Sequence, residues 1–181
     1  MHSQDASARE IELREAAYRY VLERGLGDLS LRPLAAAIGS SPRVLLYLFG
    51  SKDGLVRALL ARARADELAA LSQIGVGPLP AIAREVWAWL SAPDHRAVLT
   101  LWTEAYGRSL IEPDGAWADF AAATVRDWLA LLGTSGAGPE HCTAVLALLR
   151  GAMLDLLATG DRDRITGAVD AAVDQLARAP S

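Results

Sequence analysis

Residues 31–55 read Leu31-Arg32-Pro33-Leu34-Ala35-Ala36-Ala37-Ile38-Gly39-Ser40-Ser41-Pro42-Arg43-Val44-Leu45-Leu46-Tyr47-Leu48-Phe49-Gly50-Ser51-Lys52-Asp53-Gly54-Leu55. The glycines, prolines and serines divide this stretch into three helices. Ser30 stands as N-cap of the first, Pro33 lies in its first turn where a missing N–H is tolerated, and Gly39 stops it. Ser41-Pro42 opens the second, which closes at Gly50, and Ser51 caps a third, longer one. Two helices of about two turns each, joined by a tight glycine-containing turn and flanked by a helix on either side, are the outline of a helix-turn-helix.

The second short helix is the one expected to read DNA. At about 100° per residue, Leu45 and Phe49 share one side while Arg43, Val44 and Tyr47 project from the other. The first pair anchors the helix and the second set faces the major groove, with Arg43 first in line for a guanine contact. Ser40, Ser41 and the amides that open this helix suit phosphate, because a helix N-terminus offers unpaired N–H groups and a partial positive charge, and Pro42 is grouped with them among the expected DNA-binding residues. Lys52, the single lysine of the chain, lies within phosphate reach at the next helix start, and Ser30 does so at the first. The competing reading of Arg43, Tyr47 and Lys52 is a solvated helix face, and of Ser30 and Ser41 simple capping.

Outward from this stretch the helical spacing continues. A helix with Ser7 and Glu10 spaced as a capping box is expected to bury Leu13, Ala16, Ala17, Tyr20 and Val21 and to stop at Gly25. The helix from Ser51 runs through Leu55, Val56, Leu59, Leu60 and Ala63 to about Leu71. Gly75-Val76-Gly77-Pro78-Leu79-Pro80 is the strongest breaker. Behind it, five helices are expected at about 80–91, 94–111, 115–132, 139–159 and 162–178, and no stretch alternates with period two. The fold class is therefore all-α.

Composition agrees. The 181 residues are 52% hydrophobic and 22% charged with one cysteine, which excludes disordered, collagenous and disulfide-stapled classes. Residues 1–65 hold ten cationic and seven acidic side chains, a charge of +3, and the remainder carries −7. A locally basic front suffices for nucleic acid, since phosphate attraction is screened within about 10 Å. A polar N-terminus and a longest apolar stretch, 145–159, that is shorter than a bilayer needs lead to the expectation of a cytoplasmic chain without a membrane span. His2, His95 and His141 are scattered, Cys142 adjoins His141 on one helix, and the glycine-bearing loops lack the ending of a phosphate loop. No enzyme, cofactor or metal is expected.

The stretch 31–55 resembles the DNA-binding domain of TetR-type transcriptional regulators, at motif level over about residues 8–60. The matches are Gly39, Leu45, Tyr47, Phe49 and Ser51-Lys52-Asp53-Gly54-Leu55. Leu46 and Leu48 stand where an aromatic and a histidine are commoner in that family. The resemblance implies a DNA-binding domain at 1–54 and a C-terminal ligand-binding and dimerisation domain at 55–181. It also implies a homodimer on a palindromic double-stranded operator, most often as a repressor, and a small-molecule ligand. Two apolar stripes fit the implied dimer interface: Val145, Leu149 and Met153, and Ile165, Val169, Ala172 and Leu176. Trp89, Trp102, Tyr106, Phe120, Thr124 and Trp128 fit the lining of a site for a small apolar or aromatic ligand, against a plain reading as core. Two other functions stay open: an all-helical small-molecule-binding protein whose helix-turn-helix is vestigial, to which Leu46 and Leu48 point, and a helical enzyme.

Overall fold

The computed structural model describes residues 2–178, with side chains from 8 to 177. Among them the regular structure is helical throughout: α1 (His2–Arg24), α2 (Leu31–Ala37), α3 (Pro42–Phe49), α4 (Lys52–Leu71), α5 (Leu79–Leu90), α6 (Arg96–Ile111), α7 (Phe120–Gly133), α8 (Pro139–Thr159) and α9 (Arg162–Arg178). The described residues form two compact units, one of 2–66 with 100–121 and the other of 67–99 with 122–178.

In the first unit α1 buries Leu13, Ala17, Tyr18 and Val21. Ala16 and Tyr20, expected inside, are half-buried, and the Tyr20 ring lies under the Arg24 guanidinium at 4.9 Å. The capping box expected at Ser7 and Glu10 does not start this helix, whose backbone is already helical from His2. Arg62 of α4 ties α1 down. Its Nε donates to both Glu15 oxygens at 2.9 and 3.0 Å, its Nη1 donates to Asp66, and its guanidinium lies 4.9 Å over the Tyr18 ring.

In the second unit α5 turns Leu79, Ile82, Ala83, Val86, Trp87 and Leu90 inward, a three-and-four spacing that makes one stripe. Cys142, Val145, Leu146 and Leu149 of α8 and Ile165, Val169 and Val173 of α9 are buried as well, and α5, α8 and α9 pack pairwise. The Trp87 indole N–H donates to Thr166 Oγ1 at 3.0 Å, Arg96 to the Leu157 carbonyl at 2.8 Å, and Arg84 to Asp174. Arg164 holds Asp155 at 2.8 and 3.0 Å, and the guanidinium draws the Asp155 carboxyl below its ordinary range.

Two boundaries differ from the pattern. The helix expected from 115 begins at Phe120, because turns occupy 113–119 and Asp119 has a left-handed φ of 62°. Pro93–His95 forms a 3₁₀ turn before α6. α8 extends the apolar stretch 145–159 to 21 residues, which are long and apolar enough to cross a membrane by length and composition alone. It packs on α5 and α9 and carries Arg150 and Asp155.

Burial, and after it the Asp66 carboxylate, raise the Tyr18 phenol above its ordinary value. Below pH about 10 both folded and unfolded phenols are neutral; above it the unfolded tyrosine ionises while the folded one resists, so stability falls as pH rises. Tyr18→Phe is expected to flatten that alkaline loss, measured as the urea midpoint between pH 8 and 11.

Candidate nucleic-acid interface

α3 is eight residues long and is seated by one apolar side chain. Leu45 is 1% exposed, whereas Arg43, Val44, Leu46 and Tyr47 face solvent, Tyr47 at 82%. Phe49, read as a partner of Leu45, is half-buried. The start of α3 follows the sequence: Ser41 has extended backbone and its Oγ accepts from the Val44 amide at 3.3 Å, with Pro42 next. Gly39, with φ of 64°, makes the left-handed turn between α2 and α3 that a Cβ would strain.

The far end of α3 is fixed by close approach. A Cβ on Gly54 would stand 2.0 Å from the Phe49 carbonyl oxygen, so only glycine lets the first turn of α4 pack on the end of α3. Ser51 Oγ caps that turn, accepting from the Gly54 amide at 2.9 Å. The pair Ser51 and Gly54 therefore sets where α3 ends and where Lys52 stands.

Beside α3 lies an open groove of about 700 Å³ lined by residues 27–32, Pro42 and Lys52. It brings together Ser30, Pro42 and Lys52, as the sequence grouped them, and adds Arg32, an exposed cation that the motif reading had left unassigned. Asp28 is the one acidic member of this lining. Ser30 occupies the N-cap position of α2, but its hydroxyl makes no cap bond there, which leaves it exposed for another acceptor or donor. Ser40 is a correction. Its hydroxyl is buried without a hydrogen-bond partner among the described residues, and its amide is spent on the Ala35 carbonyl at 2.8 Å. It offers a phosphate neither group.

The residues grouped as ligand-lining are placed in two sets. Trp102 and Phe120 are buried and Tyr106 half-buried in the first unit. In the second, Thr124 and Trp128 close on Glu67, which is 1% exposed: the Trp128 indole N–H donates to Oε1 at 2.5 Å and Thr124 Oγ1 to Oε2 at 3.3 Å. Trp89 is stacked on His95 with ring centroids 4.1 Å apart. Glu67 was missed from the sequence, although the i,i+4 series Leu59, Ala63 points straight at it. Glu104 accepts from the Leu26 amide at 2.8 Å, and Arg108 pairs with Glu112 at 3.1 Å.

The proposed dimer stripes need a similar correction. Val145, Leu149, Ile165 and Val169 are buried within the chain itself, and Met153, Ala172 and Leu176 are half-buried. The face of α8 that remains uncovered carries Ala144, Ala147, Gly151, Leu154 and Ala158, and that of α9 carries Ala168, Ala171 and Gln175. Among the described residues no group of three or more His, Cys, Asp or Glu side chains is placed to hold a metal.

Residues 13–59 match the family model described as bacterial regulatory proteins, tetR family. No curated protein matches the chain. Among solved structures it resembles the multidrug binding protein EbrR complexed with imidazole, at 26% identity and TM-score 0.70 over 96% of this chain and 92% of that one. It resembles the proflavin complex of EbrR at 28% identity and TM-score 0.65, over 89% and 97%. A transcriptional regulator from Rhodococcus sp. shares the fold, at 23% identity and TM-score 0.71 over 92% and 94%.

Gly54→Ala must push the Phe49 carbonyl and with it α3. An overpacking cost of about 1–3 kcal/mol is expected in urea unfolding, together with weaker DNA binding, whereas Gly107→Ala, where a Cβ meets nothing within 4 Å, leaves both in place.

Proposed function

We propose that this chain, whose residues 13–59 match the model described as bacterial regulatory proteins, tetR family, is a TetR-type regulator that acts as a homodimeric, ligand-responsive repressor on a two-fold symmetric operator. The observation that carries the reading is α3 itself: one buried leucine beneath, and Arg43, Val44 and Tyr47 presented outward beside a groove that holds Lys52. Arg43 reads a base edge, and Tyr47, Ser41 and Lys52 hold phosphates. Ser30 and Arg32 add contacts from the groove wall. The DNA-binding domain is taken as 1–54 and the remainder as the ligand-binding and dimerisation domain.

The dimer face is assigned to the uncovered side of α8 and α9. Only 28% of the most apolar 18-residue window of α8 is buried within the chain, and Leu154 stands 50% exposed in the middle of a row of small residues. Alanine and glycine at three-and-four spacing let two helices approach closely, and two helices from each of two chains make a four-helix interface. Of the six residues read as ligand-lining, Trp102, Tyr106 and Phe120 lie in the first unit and Trp89, Thr124 and Trp128 in the second, and ligand contact is assigned to the first set. A small planar aromatic ligand is the class favoured, because EbrR, the protein of the imidazole and proflavin complexes, is named for binding multiple drugs. The chain then acts in the cytoplasm, where its operator is.

Two outcomes test this. Against a duplex selected from a randomised pool by the wild-type chain, Arg43→Ala is expected to weaken binding about tenfold, the order of 1–3 kcal/mol for a base contact, and Tyr47→Ala to weaken it through loss of a phosphate contact. Lys52→Ala is expected to weaken all sequences alike and to lower the salt slope by about 1. Unchanged affinity in all three variants would mean that α3 and Lys52 do not hold the duplex, whereas failure of the wild-type chain to select any duplex would leave it a ligand-binding protein without a DNA role. For the dimer, Leu154→Asp is expected to convert a two-chain species to a single chain in sedimentation equilibrium while circular dichroism stays helical; a wild-type monomer at 50 μM, about the concentration of the run, would reject the interface.

A further inference from the structure

The turn between α1 and α2 is held by a residue far along the chain. The Leu26 amide lies just past the last helical bond of α1, from the Gly25 amide to the Val21 carbonyl. It donates at 2.8 Å to Oε2 of Glu104, 78 residues away in the middle of α6. The bond is charge-assisted and half-buried, which makes it stronger than a neutral one. The carboxylate is also seated by shape. A Cβ on Gly27 would stand 2.6 Å from Glu104 Oε1, and one on Gly25 3.0 Å from Oε2, so the missing side chains of the two glycines form the cradle.

What the carboxylate holds is not an isolated loop. Leu26 and Leu29 are buried, and the Leu29 amide closes the turn on the Leu26 carbonyl at 3.1 Å. Gly27, Leu29 and Ser30 then line the groove that also contains Pro42 of α3 and Lys52 of α4. On α6, Trp102 and Tyr106 stand two residues before and after Glu104, about 200° around the helix, so the aromatic side chains lie on the side away from the turn. One helix thus carries the turn's anchor on one face and the two residues assigned to ligand contact on the other.

We propose that Glu104 is a positioning residue for DNA binding: it fixes the 25–30 turn, and a displacement of α6 reaches α2 and α3 by pulling that turn through the Leu26 amide. The second half of this statement rests on the assignment of α6 to ligand contact. The first half does not. Glu104→Gln keeps a carbonyl acceptor at the same place and loses the charge; Glu104→Ala loses both. Gly27→Ala leaves the carboxylate intact and displaces it from Leu26.

The test uses the full chain, the selected duplex, and proflavin as probe. Glu104→Ala and Gly27→Ala are each expected to weaken duplex binding about tenfold or more, Glu104→Gln less than Glu104→Ala, and all three to speed hydrogen exchange at the Leu26 amide. The double variant Gly27→Ala with Glu104→Ala is expected to be no weaker than the poorer single one, because both break the same bond. Proflavin is expected to release the duplex from wild type, and to be bound by Glu104→Ala with unchanged fluorescence while releasing the duplex much less. Wild-type affinity and wild-type Leu26 exchange in Glu104→Ala would overturn the tether. Additive losses in the double variant would overturn it too, since the two residues would then act separately. Full release by proflavin in Glu104→Ala would overturn the coupling. If proflavin fails to bind even wild type, the ligand class of the preceding section is wrong, while affinity, exchange and the double variant still decide the tether.

Discussion

An eight-residue helix has no stability of its own in water, since helices shorter than about a dozen residues are marginal even with favourable sequences. α3 must nevertheless be rigid and must leave most of its surface bare. Leu45, 1% exposed, is the single fully buried side chain of that helix, and the contact between the Phe49 carbonyl and Gly54 fixes its far end. Much of the first unit follows from this constraint. α2 leads into α3 through the left-handed Gly39 turn and α4 is capped by Ser51, so that the helix between them needs only one apolar anchor and can keep Arg43, Val44 and Tyr47 outside.

Apolar stripes hold elements together but leave them free to slide and turn; directed polar bonds remove that freedom. Three acidic side chains do this work at different places. Glu15 receives both bonds from Arg62 Nε and sets α1 on α4. Glu67, buried among apolar neighbours in the second unit, is reached by the Trp128 indole and the Thr124 hydroxyl and so fixes α7 against the end of α4. A carboxylate in such surroundings is costly without donors, and each donor contributes orientation as well as energy. Glu104 does the same for the turn before α2.

These three residues also mark where sequence reading stops. Helix limits were legible because they are written locally: the Ser41-Pro42 start of α3, the Gly39 turn, and the ends of α8 and α9 all depend on residues within a turn of the boundary. The start of α7 was missed by five residues because the breaker at 112–115 is followed by further turns and a left-handed Asp119 that no pattern flags. Glu67 and Glu104 have partners 57 to 78 residues away, and periodicity cannot report those. Glu67 left a trace nevertheless, one helical step beyond Ala63 on the buried face. Ser40 went the other way: a polar residue beside a helix start looked available, and its hydroxyl is buried.

The stripe on α8 shows the same limit in another form. Periodicity identifies a set of apolar positions but not what covers them, and α8 is apolar on two sides. The larger side chains, Val145, Leu146 and Leu149, turn inward on the chain's own core. The opposite row is mostly alanine and glycine. Small residues lose little by facing water, so the uncovered row costs a lone chain little; the same smallness lets another helix backbone come close. Arg164 clamps Asp155 and Asp161 across the turn between α8 and α9, which holds the small-residue faces of both helices in one fixed arrangement. A surface built this way is stable uncovered and ready to pack, and Leu154 is the one side chain on it large enough to make covering it favourable.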